Sequence, residues 1–96
     1  MARKFNVAVV GATGAVGETM LSLLHERKFP IGQIYALASS RSEGKDIPYG
    51  SDRLIVQALE GFDFEAVDVG LFSPGSAVSK IYAPLAAEAG CVVIDN

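Results

Sequence analysis

VAVVGATGAVGETMLSLL, residues 7–24, changes near its centre from a continuous apolar run to apolar residues at helical spacing. Its first part belongs to the run FNVAVV at residues 5–10, which is apolar and β-branched and is typical of a strand buried on both faces. Its second part carries apolar residues at helical spacing with polar residues between them, which predicts a helix over residues 14–27. This change of period decides the fold, because a buried strand followed at once by a helix begins a parallel α/β sheet.

Three glycines, Gly11, Gly14 and Gly17, join the strand to the helix. In a dinucleotide site the first permits the tight turn off the strand, the second lets the backbone approach a pyrophosphate, and the third lets the helix pack closely on the sheet. Free N–H groups and the positive end of the helix dipole attract the phosphates. Thr13 is expected to cap the helix or to donate to a phosphate. The spacing G-x-x-G-x-x-G departs from G-x-G-x-x-G, so a glycine-rich turn without a ligand stays open as the alternative.

The remainder of the chain continues the alternation of strands and helices. Predicted elements are strands at 33–39, 53–59, 67–73 and 91–95, a polar loop at 40–52, a turn at 60–66 and a helix at 74–90. Pro84 lies inside that last helix, which predicts a kink or a restart there. We therefore expect an α/β fold with a Rossmann-like, doubly wound and mainly parallel sheet.

The last residue, Asn96, comes directly after the last predicted strand. The carboxyl ends of parallel strands form the edge at which ligands bind and catalytic groups lie. We therefore expect a chain that stops at this edge to be a truncated part of a larger protein.

Composition disfavours several classes of protein. The 96 residues carry a net charge of −3, which argues against non-specific binding of nucleic acid or of an anionic membrane. No apolar stretch approaches the roughly 18 residues that span a bilayer. The chain has one cysteine, so it has no internal disulfide, and we expect a cytoplasmic protein. Asp63, Glu65 and Asp68 have no histidine near them in sequence, and we expect no metal site there.

The end of the second predicted strand indicates which dinucleotide is bound. Sites for NAD usually carry an acidic residue there, which accepts hydrogen bonds from the adenosine ribose. This chain has the run LASSRSEGK, in which no carboxylate precedes Glu43. The guanidinium of Arg41 pairs well with a ribose 2′-phosphate and serine hydroxyls add donors, so the pattern favours NADP. The alternative is a solvated loop in which Arg41 and Lys45 are surface charges.

Four motifs, in this order and spacing, resemble the N-terminal portion of aspartate-semialdehyde dehydrogenases: VAVVGATGAVG, LASSRSEGK, LFSPGS and YAPLAAEAGCVVIDN. The resemblance covers nearly the whole chain. It implies that residues 1–96 are a truncated N-terminal NADP-binding domain, part of a two-domain enzyme whose catalytic and dimerisation domain is absent. The site residues implied, beside Gly11 and Gly17, are Thr13, Gly14, Ala15 and Val16 for the pyrophosphate, Ser39, Ser40, Arg41 and Ser42 for the 2′-phosphate, Ser73 and Gly75 towards the nicotinamide, and Asn96 near the reaction centre.

The resemblance also implies a reaction for the whole enzyme. L-aspartyl 4-phosphate is reduced by NADPH to L-aspartate 4-semialdehyde, with release of phosphate, in the biosynthesis of lysine, threonine and methionine. The implied nucleophile is a cysteine beyond residue 96, so this chain alone is expected to be inactive, and the full-length enzyme is expected to be a homodimer. Cys91 opens a buried strand and is expected to be an inert apolar residue. His25, on the first helix and away from the glycines, is expected to have a surface or packing role.

Three other interpretations stay open. N-acetyl-gamma-glutamyl-phosphate reductases share the fold and the chemistry, although ASSRSEGK followed by FSPGS resembles the first family better. A second possibility is a non-catalytic NADP-binding module that ends at residue 96. The third is a structural α/β interaction domain whose glycines serve only packing, and binding of an adenine dinucleotide would argue against it.

Overall fold

The computed structural model describes residues 3–73 and 77–95. Its strands and helices follow in the order β1 (Phe5–Val10), α1 (Ala15–Glu26), β2 (Ile31–Ala38), β3 (Asp46–Tyr49), β4 (Asp52–Ile55), β5 (Gln57–Ala58), β6 (Val69–Phe72), α2 (Ala77–Glu88) and β7 (Val92–Asp95). Short 3-10 turns lie at Ser40–Ser42 and Phe64–Ala66. No helix in these two ranges is both long and apolar enough to cross a membrane.

Five strands form one sheet in the order β5-β2-β1-β6-β7, and every neighbouring pair is parallel. The chain enters at the centre of the sheet, moves outward through β2 to β5, and then returns to β6 and moves outward on the other side. This order confirms the predicted Rossmann-like, doubly wound fold. The direction reverses between β1 and β6, and such a switch point opens a crevice at the carboxyl ends of the strands.

The core has one layer on each face of the sheet, because successive residues of a strand face opposite sides. On one face α1 and the β3–β4 hairpin cover the sheet, with a buried cluster that includes Val9, Leu21, Ala36, Ile47 and Val56. On the other face α2 and the 3-10 turn at Phe64–Ala66 cover it, with a cluster that includes Val10, Leu37, Phe64, Phe72 and Ala86. The two clusters hold the carboxyl ends of β1 and β2 from both sides.

The strand predicted at 53–59 and the loop predicted at 40–52 are wrong in part. β3 and β4 pair antiparallel as a separate hairpin, from Asp46↔Ile55 to Tyr49↔Asp52, and only β5 joins the main sheet. Val56 separates β4 from β5, and its N–H donates to the Lys45 carbonyl at 2.8 Å. The β-branched residues at 53–59 indicate a strand. The strand that pairs with β4, at residues 46–49, lies in a polar stretch that carries no such signal.

Helix α2 runs through Pro84 as one helix, so the predicted restart is not found in the described part of the chain. Proline has no N–H to donate to the carbonyl one turn back, so the helix lacks one backbone hydrogen bond in its interior. Pro84 itself is exposed, so water reaches that side of the helix.

Asn6 ties three segments together at the amino end of the sheet. The register between β1 and β2 shifts between Phe5 and Val7, and there the Asn6 side-chain oxygen accepts from Gln33 N–H at 3.0 Å. Its side-chain amide donates to the Ala66 carbonyl at 2.8 Å, and its backbone N–H donates to the Asp68 carboxylate at 2.8 Å. The side chain thus replaces a ladder bond that the irregular register removes.

Strand β7 leaves apolar side chains uncovered, and we expect Ile94→Lys to reduce self-association of the chain. Ile94 is 51% exposed and pairs with Leu71, whose side chain lies on the α1 face. Exposed apolar edges favour association between copies. Sedimentation velocity over a concentration series should show less oligomer for the variant, with an unchanged thermal midpoint. Equal association of the variant and the parent chain would contradict this.

Candidate functional site

A cleft of about 380 Å³ opens at the carboxyl edge of the sheet, at the switch point. Its walls come from the ends of β1, β2, β5 and β6 and from the first turns of α2. Four residues predicted from sequence line it: Gly11, Thr13, Ser39 and Ser73. The fold therefore assembles one site from residues that are up to 62 positions apart in the chain, from Gly11 to Ser73.

A larger cleft of about 650 Å³ lies elsewhere, between the end of α1 and the β3–β4 hairpin, and contains none of the predicted site residues. His25 lines it, with its ring edge-on to Tyr49 at 5.2 Å between centroids. Burial raises the pKa of Tyr49, so this phenol stays neutral well above neutral pH. The contact gives His25 a packing role against the hairpin, as expected from sequence.

Gly11 makes the sharp turn that ends β1. Its φ is +85°, in the left-handed region that favours glycine. A Cβ at this position would overlap the hydroxyl of Ser73. The N–H groups of Gly11 and Ala12 both donate to the Leu37 carbonyl, at 2.8 and 3.1 Å, and so fix the loop against β2.

Gly17 lets the first turn of α1 lie directly on this loop. A Cβ at Gly17 would overlap the Gly11 carbonyl oxygen and would lie 2.8 Å from the Ala12 Cα. Both neighbours are backbone atoms held by hydrogen bonds to β2, so neither moves aside cheaply. This is the close packing of helix on sheet that the spacing predicts.

Gly14 has no such internal reason to be a glycine. It is the N-cap of α1 at φ −86°, a conformation open to any residue. A Cβ there would meet nothing nearer than the Gly11 carbonyl oxygen at 3.6 Å, which is an ordinary contact. The residue is exposed, so a side chain would occupy the space that a ligand needs to approach the backbone.

The start of α1 presents free hydrogen-bond donors. The N–H groups of Ala15, Val16 and Gly17 belong to the first helical turn and have no acceptor within the described ranges. The predicted cap by Thr13 is wrong, because Gly14 is the capping residue and no side chain bonds to the helix start. Thr13 instead lines the cleft, where its hydroxyl is available to a ligand. Donors and helix dipole together suit an anion such as a phosphate.

The predicted 2′-phosphate residues form a tight turn at the end of β2. Ser39 precedes the 3-10 turn Ser40–Ser42, which is closed by a hydrogen bond of 2.9 Å from Ser42 N–H to the Ser39 carbonyl. Arg41 is exposed and has no ion pair with another residue in the described ranges. Only Ser39 lines the cleft, while Ser40, Arg41 and Ser42 lie just beyond its β2 wall.

The sequence from residue 6 to residue 96 matches a family model described as semialdehyde dehydrogenase, NAD binding domain. The chain belongs to this family. A nicotinamide dinucleotide is accordingly the class of cofactor that this semialdehyde dehydrogenase NAD-binding domain takes.

Relatives of this domain include aspartate-semialdehyde dehydrogenases. The chain is 60% identical over all its residues to an aspartate-semialdehyde dehydrogenase of Legionella pneumophila, of which it spans 28%, and 54% identical to aspartate-semialdehyde dehydrogenase 2 of Vibrio cholerae, of which it also spans 28%. A crystal structure of aspartate semialdehyde dehydrogenase II from Vibrio cholerae, complexed with ASA, superposes on 98% of the chain with a TM-score of 0.93 and 54% identity, and the chain covers 31% of it. The chain thus spans less than a third of the length of these relatives.

Two predicted residues of this semialdehyde dehydrogenase domain, Gly75 and Asn96, lie outside the described residues.

Cys91 is buried, as the sequence indicates for the first residue of a strand. Burial raises the pKa of its thiol, the negative charge of Asp68 raises it further, and a backbone hydrogen bond at Gly70 opposes them. A neutral buried thiol is a poor nucleophile, which supports an inert role.

Sequence reasoning missed part of the cleft. Glu60 lines it from the end of β5, and Ser79 and Tyr82 line it from α2. The ring of Tyr82 also packs against the buried cluster that includes Phe64 and Phe72. The signal that locates Glu60 is topological, because the residue after a strand of a parallel sheet lies at the ligand edge.

Proposed function

We propose that this chain binds NADP(H) and forms the cofactor-binding part of an enzyme that reduces L-aspartyl 4-phosphate to L-aspartate 4-semialdehyde. The single observation that carries the proposal is the cleft at the switch point, in a family of NAD-binding domains, lined by Gly11 and Thr13 of the loop that leads into the free N–H donors at the start of α1. The names of the relatives support the substrate, and they favour it over N-acetyl-gamma-glutamyl phosphate.

The turn after β2 supports NADP rather than NAD. Residues 39–42 carry no carboxylate that would bond a free ribose 2′-hydroxyl or repel a phosphate on it. The guanidinium of Arg41 is exposed beside Ser39, which lines the cleft. A planar guanidinium with serine hydroxyls nearby is suited to bidentate binding of a phosphate.

In the proposed reaction this domain binds and orients the cofactor, and the nicotinamide supplies the hydride. The glycine loop, residues 11–17, holds the pyrophosphate, the turn at 39–42 holds the 2′-phosphate, and Ser73 lies towards the nicotinamide. Cys91 takes no part, because it is buried and its pKa is raised. We further propose that nucleophile, substrate site and homodimer contacts belong to the longer enzyme, in the cytoplasm, and that this chain alone is inactive.

Replacing Arg41 by alanine is expected to remove the preference for NADP⁺ over NAD⁺. Loss of a charge-assisted pair with the 2′-phosphate should weaken NADP⁺ binding about tenfold and leave NAD⁺ binding unchanged. Calorimetric titration of the chain with each dinucleotide measures both affinities. Arg53→Ala serves as a control, since it removes an exposed arginine that pairs with Asp46 on the hairpin.

Two results would contradict the proposal. Equal affinity of the parent chain for NADP⁺ and NAD⁺ would show that the turn at 39–42 does not bind a 2′-phosphate. Absence of any binding to a chain shown to be folded by circular dichroism would favour glycines that serve packing alone.

A further inference from the structure

The strand order sets the order of polar groups along the cleft. From one end to the other, the edge carries Glu60 after β5, Ser39 after β2, the glycine loop after β1, and Ser73 after β6. In the proposed function the pyrophosphate lies at the glycine loop and the ribose phosphate lies at the turn after β2. The adenine, which continues outward from the ribose, therefore lies at the β5 end, beside Glu60.

The two parts of the adenosine lie at different places in this arrangement. The ribose phosphate lies at the turn after β2, and the adenine base lies at the end of β5. Arg41 lies outside the cleft, whereas Glu60 lines it. A ribose phosphate directed out to Arg41 leaves the base inside, next to Leu59 and the half-buried ring of Tyr82. Leu59 is only 4% exposed, so this end of the cleft has an apolar wall suited to the flat face of a base.

Glu60 is the carboxylate that faces this apolar end. It forms no ion pair with another residue of the described ranges, so its oxygens are available to a ligand. The exocyclic 6-amino group of adenine is a donor and has no acceptor of its own, whereas a 6-oxo group would present an oxygen to the carboxylate. A carboxylate at this place discriminates between the two bases.

We propose that Glu60 is a specificity-determining residue whose carboxylate accepts a hydrogen bond from the 6-amino group of the cofactor's adenine. The proposal rests on the proposed function, since it requires a dinucleotide in the cleft with its pyrophosphate at the glycine loop. It assigns to the end of β5 a role that the glycine and arginine motifs do not cover.

The test compares NADP⁺ with nicotinamide hypoxanthine dinucleotide phosphate, in which a 6-oxo group replaces the 6-amino group of the base and the neighbouring N1 carries a hydrogen. Calorimetric titration of the parent chain should show about tenfold tighter binding of NADP⁺, the magnitude of one hydrogen bond to a charged group. Glu60→Ala should remove this preference by weakening NADP⁺ binding. Glu60→Gln, which keeps an acceptor oxygen, should retain part of it.

A matched control is Glu65→Ala, which removes the same charge from an exposed turn outside the cleft and should preserve the preference. An undiminished preference in Glu60→Ala, with normal NADP⁺ binding by the parent, would overturn the adenine assignment alone. Equal strengthening of both dinucleotides in Glu60→Ala would also overturn it, because Glu60 would then act only as a charge near the phosphates. A folded parent chain that binds neither would overturn the proposed function as well.

Discussion

Alanine at Gly17 is expected to lower the free energy of unfolding by about 3 kcal/mol, the upper range for overpacking a close contact. Its Cβ would overlap the Gly11 carbonyl oxygen, and the loop cannot retreat because Gly11 and Ala12 bond to Leu37. The whole of α1 must therefore shift away from the sheet. Urea unfolding followed by far-ultraviolet circular dichroism should show a lower midpoint with an unchanged slope.

Gly14→Ala is the matched control for this variant. Its Cβ has room, with the nearest atom at 3.6 Å, so the loss of stability should stay below about 1 kcal/mol, as for a poorer N-cap residue. The same change should weaken NADP⁺ binding, because the methyl group enters the space at the helix start. Similar unfolding midpoints for the two variants would show that the contact at Gly17 does not restrict the helix.

Phe72→Ala should cost about 4 kcal/mol of unfolding free energy, in the range for deleting a buried aromatic side chain. Phe72 is the last residue of β6, is 0% exposed, and its ring stacks on Phe64 with centroids 6.4 Å apart. The deletion leaves a cavity directly under the cleft, beside Ser73. Thermal and urea unfolding measure the loss, and Phe29→Ala is the control, since Phe29 is 38% exposed and should cost about 1 kcal/mol. Equal losses in the two variants would contradict the assignment of Phe72 to the core.

Most of the main sheet could be predicted because its strands are continuously apolar. FNVAVV at residues 5–10 is buried on both faces over Val7–Val10, and the runs that form β6 and β7 are equally apolar, although Val92 and Ile94 of β7 are exposed. The hairpin could not be predicted in the same way. β3 reads DIPY, with a proline and a charge, and only pairing with β4 makes it a strand.

The site divides in the same manner. Gly11 and Gly17 could be predicted because a turn and a close contact each demand glycine, and both demands are written in local spacing. Glu60 and Tyr82 could not, because they reach the cleft only through the order of the strands and the docking of α2. An acidic residue in a turn is common on any protein surface, and an aromatic residue in a helix is common in any core. The residue types alone therefore do not point to the cleft.

The position of Asn6 has a consequence for the way the chain acquires its structure. Through this one residue, β1 bonds to segments 27 and 62 positions further along the chain. Parallel strands have no tight turn to bring them together. Loops of this length must therefore close before any hydrogen bond between the strands can form and offset the entropy cost of closure. Folding cannot proceed by pairing of neighbouring residues from one end, and β1 gains its second neighbour, β6, only after residues 69–72 have been made. The rate of folding is therefore set by chain closure around β1 rather than by the speed at which either helix forms.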